Sequence, residues 1–115
     1  MTITRLETGR RMSGAVIHNG LVWLSGQVAE DGGDVYAQTR QCLAEVDRLL
    51  AAAGTDKTRI LQAQVWLADA GTVAEMNRAW EEWVPQGHTP ARATGESKLV
   101  APQYLVEVIV VAALP

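Results

Sequence analysis

The sequence is poor in the residue types that most bound chemistry requires. Its one cysteine, Cys42, excludes an internal disulfide and a multi-cysteine zinc site, and its two histidines, His18 and His88, stand far apart. No metal and no organic cofactor is expected. Ten Lys and Arg stand against thirteen Asp and Glu, a net charge of -3 with no basic cluster to neutralise phosphates. Nucleic acid and anionic membrane surfaces are therefore disfavoured as partners. No apolar run reaches the roughly 18 residues of a membrane span. Met1-Thr2-Ile3-Thr4-Arg5 leads into polar residues rather than into the apolar core of a signal peptide, which predicts a cytoplasmic protein. Linkers, low-complexity tracts and blocks of like charge are also missing, so the 115 residues read as one domain, 1–115.

What the chain does have is an apolar end. Between Leu105 and Leu114 the only residue that is not apolar is Glu107, in a run rich in Val and Ile that reads as a strand buried on both faces. An ionised carboxylate there costs several kcal/mol unless something pairs with it. The nearest arginine along the chain is Arg92, just after Pro90-Ala91. The Arg92/Glu107 pair, brought together on neighbouring strands, is the candidate functional centre.

Upstream, Ala15–His18 and Leu21–Leu24 flank Asn19-Gly20, the dipeptide of a two-residue type I′ hairpin. Ser25-Gly26-Gln27 then ends the second strand with small residues, where backbone can approach a ligand. Asp34 caps a helix with Thr39, Cys42, Leu43, Val46, Leu49, Leu50 and Ala53 at helical spacing and Gly54 as its stop. In the next strand Leu61, Ala63, Val65 and Leu67 face one way, and Gln62, Gln64 and Trp66 the other. Thr72-Val73-Ala74-Glu75 reads as a capping box opening a second helix with a stripe of Val73, Met76, Trp80 and Val84, ended by Pro85. Two helices cover only one face of such a sheet. The face carrying Leu105, Glu107, Ile109 and Val111 then requires a second subunit.

In order and spacing, Ser25-Gly26-Gln27, Ala52-Ala53-Gly54, Asn77, Pro90-Ala91-Arg92 and Val106-Glu107-Val108 resemble the reactive intermediate deaminase (RidA/YjgF) family over nearly the whole chain. The resemblance implies an α+β, chorismate-mutase-like mixed sheet of about six strands with two helices packed on one face. It also implies a homotrimer with sites between subunits. The implied reaction is hydrolytic deamination of 2-imino or enamine acids to 2-oxo acids and ammonia, as in a 2-iminobutanoate/2-iminopropanoate deaminase. Arg92 is implied as the carboxylate clamp and Glu107 as the group that handles water. Three positions depart from the family: Met12 where many members have tyrosine, Thr94 where cysteine is frequent, and Val100-Ala101-Pro102 in place of Leu-Pro.

These residues suit the chemistry. The planar fork of arginine binds a carboxylate through two parallel charge-assisted hydrogen bonds, and a glutamate can hold a water and take its proton. Backbone near Gly26 or Thr94 can accept from the imine N–H. Ser25 is a weak candidate, since no Ser/His/Asp spacing makes it a nucleophile. Asn77, beside the stripe of the second helix, reads as packing or ligand contact, and the four tryptophans as core or subunit contacts. Two other functions stay open: a non-catalytic module that senses small carboxylates such as 2-oxo acids, and an endoribonuclease, which the acidic charge disfavours.

Overall fold

A computed structural model describes residues 2–115. Strands β1 (Thr4–Leu6), β2 (Ala15–His18) and β3 (Leu21–Leu24) precede helix α1 (Val35–Ala53). Strand β4 (Ile60–Leu67), helix α2 (Val73–Trp83), and strands β5 (Ala91–Glu96) and β6 (Val106–Ala113) follow. They form one six-stranded mixed sheet in the order β1-β2-β3-β6-β4-β5, antiparallel throughout except for the parallel pair β4–β5.

Local chemistry accounts for the early elements. Asn19 and Gly20 both take positive φ, 52° and 76°, the left-handed pair that a type I′ turn demands. The Asp34 carboxylate accepts from Ala37 N at 2.8 Å, and Gly54 closes α1 at φ 89°, its N–H returning to Ala51 and Leu50 carbonyls. Asp34→Ala should lower stability by about 1 kcal/mol, measured as a shift in the urea midpoint at unchanged slope.

Both helices pack on one face. Cys42, Leu43, Val46, Leu49 and Leu50 of α1 and Met76 and Trp80 of α2 meet Ala63, Val65 and Leu67 of β4 and Val106, Val108, Val110 and Ala112 of β6. The terminal strand alternates strictly between buried and half-buried residues. Within one chain it is thus covered on a single face, not on both as its composition suggests. Glu107, Ile109 and Val111 lie only half-buried on the other face, with Trp23 of β3 among its exposed residues at 40 %. Leu105, just ahead of the strand, packs against the core rather than joining that face.

Three expectations are corrected. The register of β4 against β6 slips between Ile60 and Gln62, so Ile60 turns to the core and Leu61 is 50 % exposed. No capping box forms at Thr72: its hydroxyl donates to the Asp69 carbonyl, and Asp69 itself opens a 3-10 turn over Ala70–Thr72 ahead of α2. Val73 consequently stands exposed, leaving the α2 stripe to Met76, Ala79 and Trp80.

Candidate functional site

Strand β4 separates the two residues singled out from the sequence. Arg92 on β5 is opposite Ala63, whereas Glu107 on β6 is opposite Trp66, three residues further along β4. The Cα atoms are therefore on the order of 14 Å apart. Directly opposed residues share a face. Arg92 thus lies on the helix side with buried Ala63, and Glu107 on the open side with Trp66. The expected contact on neighbouring strands is not made within a chain. Its physical reason is the strand order, which inserts β4 between β5 and β6 and puts the two side chains at opposite parity.

Each residue has its own setting. On the helix side, Arg92 Nη2 donates to Asn77 Oδ1 at 2.8 Å, Nη1 approaches the Met76 sulfur at 3.8 Å, and the guanidinium carbon lies 5.1 Å from the centre of the Trp80 ring. Burial pushes the Arg92 pKa below its ordinary value, with the nearby Glu81 carboxylate acting in the opposite sense. Of the five N–H donors of a guanidinium, two are engaged and three remain. Thr94 is on the same face of β5, two residues on and exposed.

On the open side, Glu107 presses against Gly26. A Cβ at residue 26 would overlap the carboxylate Oε2 and come 3.0 Å from its Cδ, so only glycine leaves that carboxylate where it is. The loop is fixed from three directions. Gln27 exchanges two backbone hydrogen bonds with Val108, Ser25 N donates to Gly14 O, and Gln27 Nε2 donates to the carbonyl and hydroxyl oxygens of Ser25. The Ser25 hydroxyl in turn donates to Gly14 O, so it braces the loop. Neither backbone group of Gly26 has a hydrogen-bond partner among the described residues. Behind the loop the Cys42 thiol donates to Gln27 O at 3.3 Å, and its burial, assisted by the Glu107 charge, pushes its pKa up to about 12. Such a thiol is a packing group, not a nucleophile.

An open groove of about 1090 Å³ is lined by Ser25, Gly26, Gln27 and Glu107 together with Gln41, Ala44 and Glu45 of α1, with Met12 and Val100 among its apolar residues. Both apolar side chains are well exposed, Met12 at 62 % and Val100 at 87 %. The acids Glu30, Asp31, Glu45 and Glu107 line it against the single base Arg11. The fold thus gathers Ser25, Gly26 and Glu107 in one place and Arg92 and Asn77 in another. Trp80, read from the sequence as a core or subunit contact, is in the core at 7 % exposure and also lies under Arg92, a contact for which its i+3 spacing from Asn77 was the available signal. No cluster of His, Cys, Asp and Glu suited to a metal occurs among the described residues, and none of their helices is long and apolar enough to cross a membrane.

Comparison with known proteins gives a consistent picture. The family model described as endoribonuclease L-PSP matches residues 2–114. A RutC family protein of Haemophilus ducreyi is 45 % identical over 113 residues, covering 97 % of each chain. The RutC family protein YoaB of Escherichia coli is 40 % identical over 114 residues, covering 99 % of this chain and all of its own. The crystal structure of NMB1025, a YjgF-family protein of Neisseria meningitidis, superposes with a TM-score of 0.98 at 44 % identity, covering all of this chain and 97 % of the other.

Proposed function

Because the chain belongs to the RidA/YjgF family and is similar to RutC family proteins, we propose that it hydrolyses reactive 2-imino acids to 2-oxo acids and ammonia in the cytoplasm. In this reading the sites lie between the subunits of a homotrimer, with Arg92 from one subunit and Glu107 from the next. The observation that carries the reading is the Arg92 guanidinium, fixed at the edge strand by Asn77 and Trp80 with three N–H donors left to offer. A planar fork with free donors and reduced hydration is a carboxylate receptor.

The second half follows from the open face. Two residues that sit on opposite faces of one sheet can meet across a substrate only if another copy brings its own sheet alongside. The half-buried apolar residues beside Glu107, with exposed Trp23, supply the surface for that association. Small carboxylates would be held by Arg92, with Thr94 and Asn77 beside it. Water would be held by Glu107, with the free backbone groups of Gly26 near the imine nitrogen. The carboxylate takes a proton from the water as its oxygen bonds to the imine carbon and passes that proton to nitrogen, giving a neutral carbinolamine. It then relays the carbinolamine hydroxyl proton to nitrogen as the carbonyl forms and the C–N bond breaks, leaving a 2-oxo acid, ammonia and the carboxylate as it began. Every atom comes from substrate and water, and no cofactor is called on.

The test is ammonia and 2-oxo acid release from imines generated in place by an amino-acid oxidase, together with the mass of the assembly in solution. A protein that leaves the imine half-life unchanged, or that is monomeric at working concentration, overturns the proposal. Gly26→Ala supplies a finer prediction. The terminal atoms of a flexible side chain give way cheaply, so the stability loss should stay at the low end of overpacking, about 1 kcal/mol. The displaced carboxylate should nevertheless cost up to about 100-fold in kcat, the penalty for roughly 1 Å of misplacement; kcat and thermal melts on one preparation check both halves. The activity in the family model's description is not favoured, since the groove beside Glu107 is acidic where a phosphate backbone would need bases.

A further inference from the structure

Arg92 lies within a continuous stack of side chains that extends well beyond its own strand. Its guanidinium carbon is 5.1 Å from the Trp80 ring centre, and Trp80 leans on Trp83 with centroids 5.4 Å apart and planes inclined at 54°. Trp83 is tied at both ends: its indole N–H donates to Asp47 Oδ2 of α1 at 2.9 Å, and its carbonyl accepts from Lys57 Nζ at 2.6 Å. The Lys57 ammonium also lies 5.1 Å from the Trp83 ring centre. Only Trp80 of this group is buried, at 7 % exposure. From the other side Asn77, one helical turn before Trp80 in α2, fixes Nη2 of the same guanidinium.

We propose that Trp80 and Asn77 are positioning residues that form a two-point seat for Arg92, one holding the face of the guanidinium and the other its edge, so that its remaining donors are pre-set for a substrate carboxylate. The inference rests on the carboxylate-clamp reading of Arg92 and deepens it. A guanidinium on a flexible stem loses rotamer freedom when it captures a ligand, and a seat built before capture removes much of that loss. The aromatic face attracts the cation without consuming an N–H donor. Asn77 takes one N–H and so sets the rotation of the plane. Lysine in place of Arg92 would have neither a plane to stack nor an edge to fix. Trp83, Asp47 and Lys57 keep the indole from sliding, which ties the seat to α1 and to the turn before β4.

The experiment is calorimetric titration of the assembled protein with pyruvate, a 2-oxo acid, beside steady-state kinetics on an oxidase-generated imine. Trp80→Leu should weaken pyruvate binding and raise KM by about tenfold with kcat nearly unchanged. Trp80→Tyr, which keeps an aromatic face, should stay within about threefold of the parent. Asn77→Ala probes the second point at a half-buried position without opening the core, and should also raise the Kd. In an Arg92→Ala background neither change should have any further effect. Pyruvate affinity unaltered in both Trp80→Leu and Asn77→Ala overturns the seat while leaving the clamp standing, as does an equal loss with and without Arg92. Failure of the parent protein to bind pyruvate overturns the clamp and the seat together.

Discussion

Arg92→Ala should lower kcat/KM for 2-imino acids by about 10²–10⁴-fold, since the proposed clamp would lose two charge-assisted hydrogen bonds worth about 1.5–3 kcal/mol each. Ammonia release in the oxidase-coupled assay measures it. Stability should change little, because Arg92 forms no ion pair among the described residues and its one strong partner, Asn77, is near enough to solvent to be rehydrated. Arg92→Lys should fall between, keeping the charge but losing the two-pronged geometry. A parent-like rate in Arg92→Ala would leave the side chain a structural group stacked on an indole.

Glu107→Gln is the second large effect, and it separates an enzyme from a sensor of small carboxylates. Loss of a general base should lower kcat by about 10²–10⁴-fold while pyruvate still binds at the Arg92 end. A sensor would tolerate the change without consequence. The substitution also probes stability. A carboxylate in a buried ion pair would cost about 3–5 kcal/mol on losing its partner. The described ion pairs, however, join Arg48 to Glu7 and Glu45, and Glu107 is only half-buried beside Gly26. The melting temperature is therefore expected to hold while turnover collapses, a combination that marks a group placed for chemistry.

Features fixed by a few consecutive residues were legible in the sequence. Asn19-Gly20 dictates its hairpin, and Asp34 and Gly54 bound α1, because each acts through backbone within one or two turns of itself. Thr72 was misread because Asp69, three residues earlier, captures the start of the segment with a 3-10 turn that hydrophobic spacing does not register. The exposed three-residue β1 carries no apolar alternation, and the slip at Leu61 leaves no compositional trace. The site divides along the same line. Arg92, Glu107, Gly26 and Asn77 were recoverable as residue types in order, but who touches whom depended on strand order. A sheet running β3-β6-β4-β5 reverses sequence proximity, and the face a residue takes is decided by distant registers, Ala63 against Arg92 and Trp66 against Glu107.

If the proposed intersubunit site forms, the guanidinium and the carboxylate on opposite sides of one sheet divide labour between polypeptides, and genetic complementation becomes possible in a test tube. Inactive Arg92→Ala chains, unfolded and reassembled with inactive Glu107→Gln chains, would form hybrids in which about one junction in four pairs an intact arginine with an intact glutamate. Neither parent could recover alone, and the mixture would regain roughly that fraction of turnover. Heterozygosity for two null alleles would then be milder than either allele by itself.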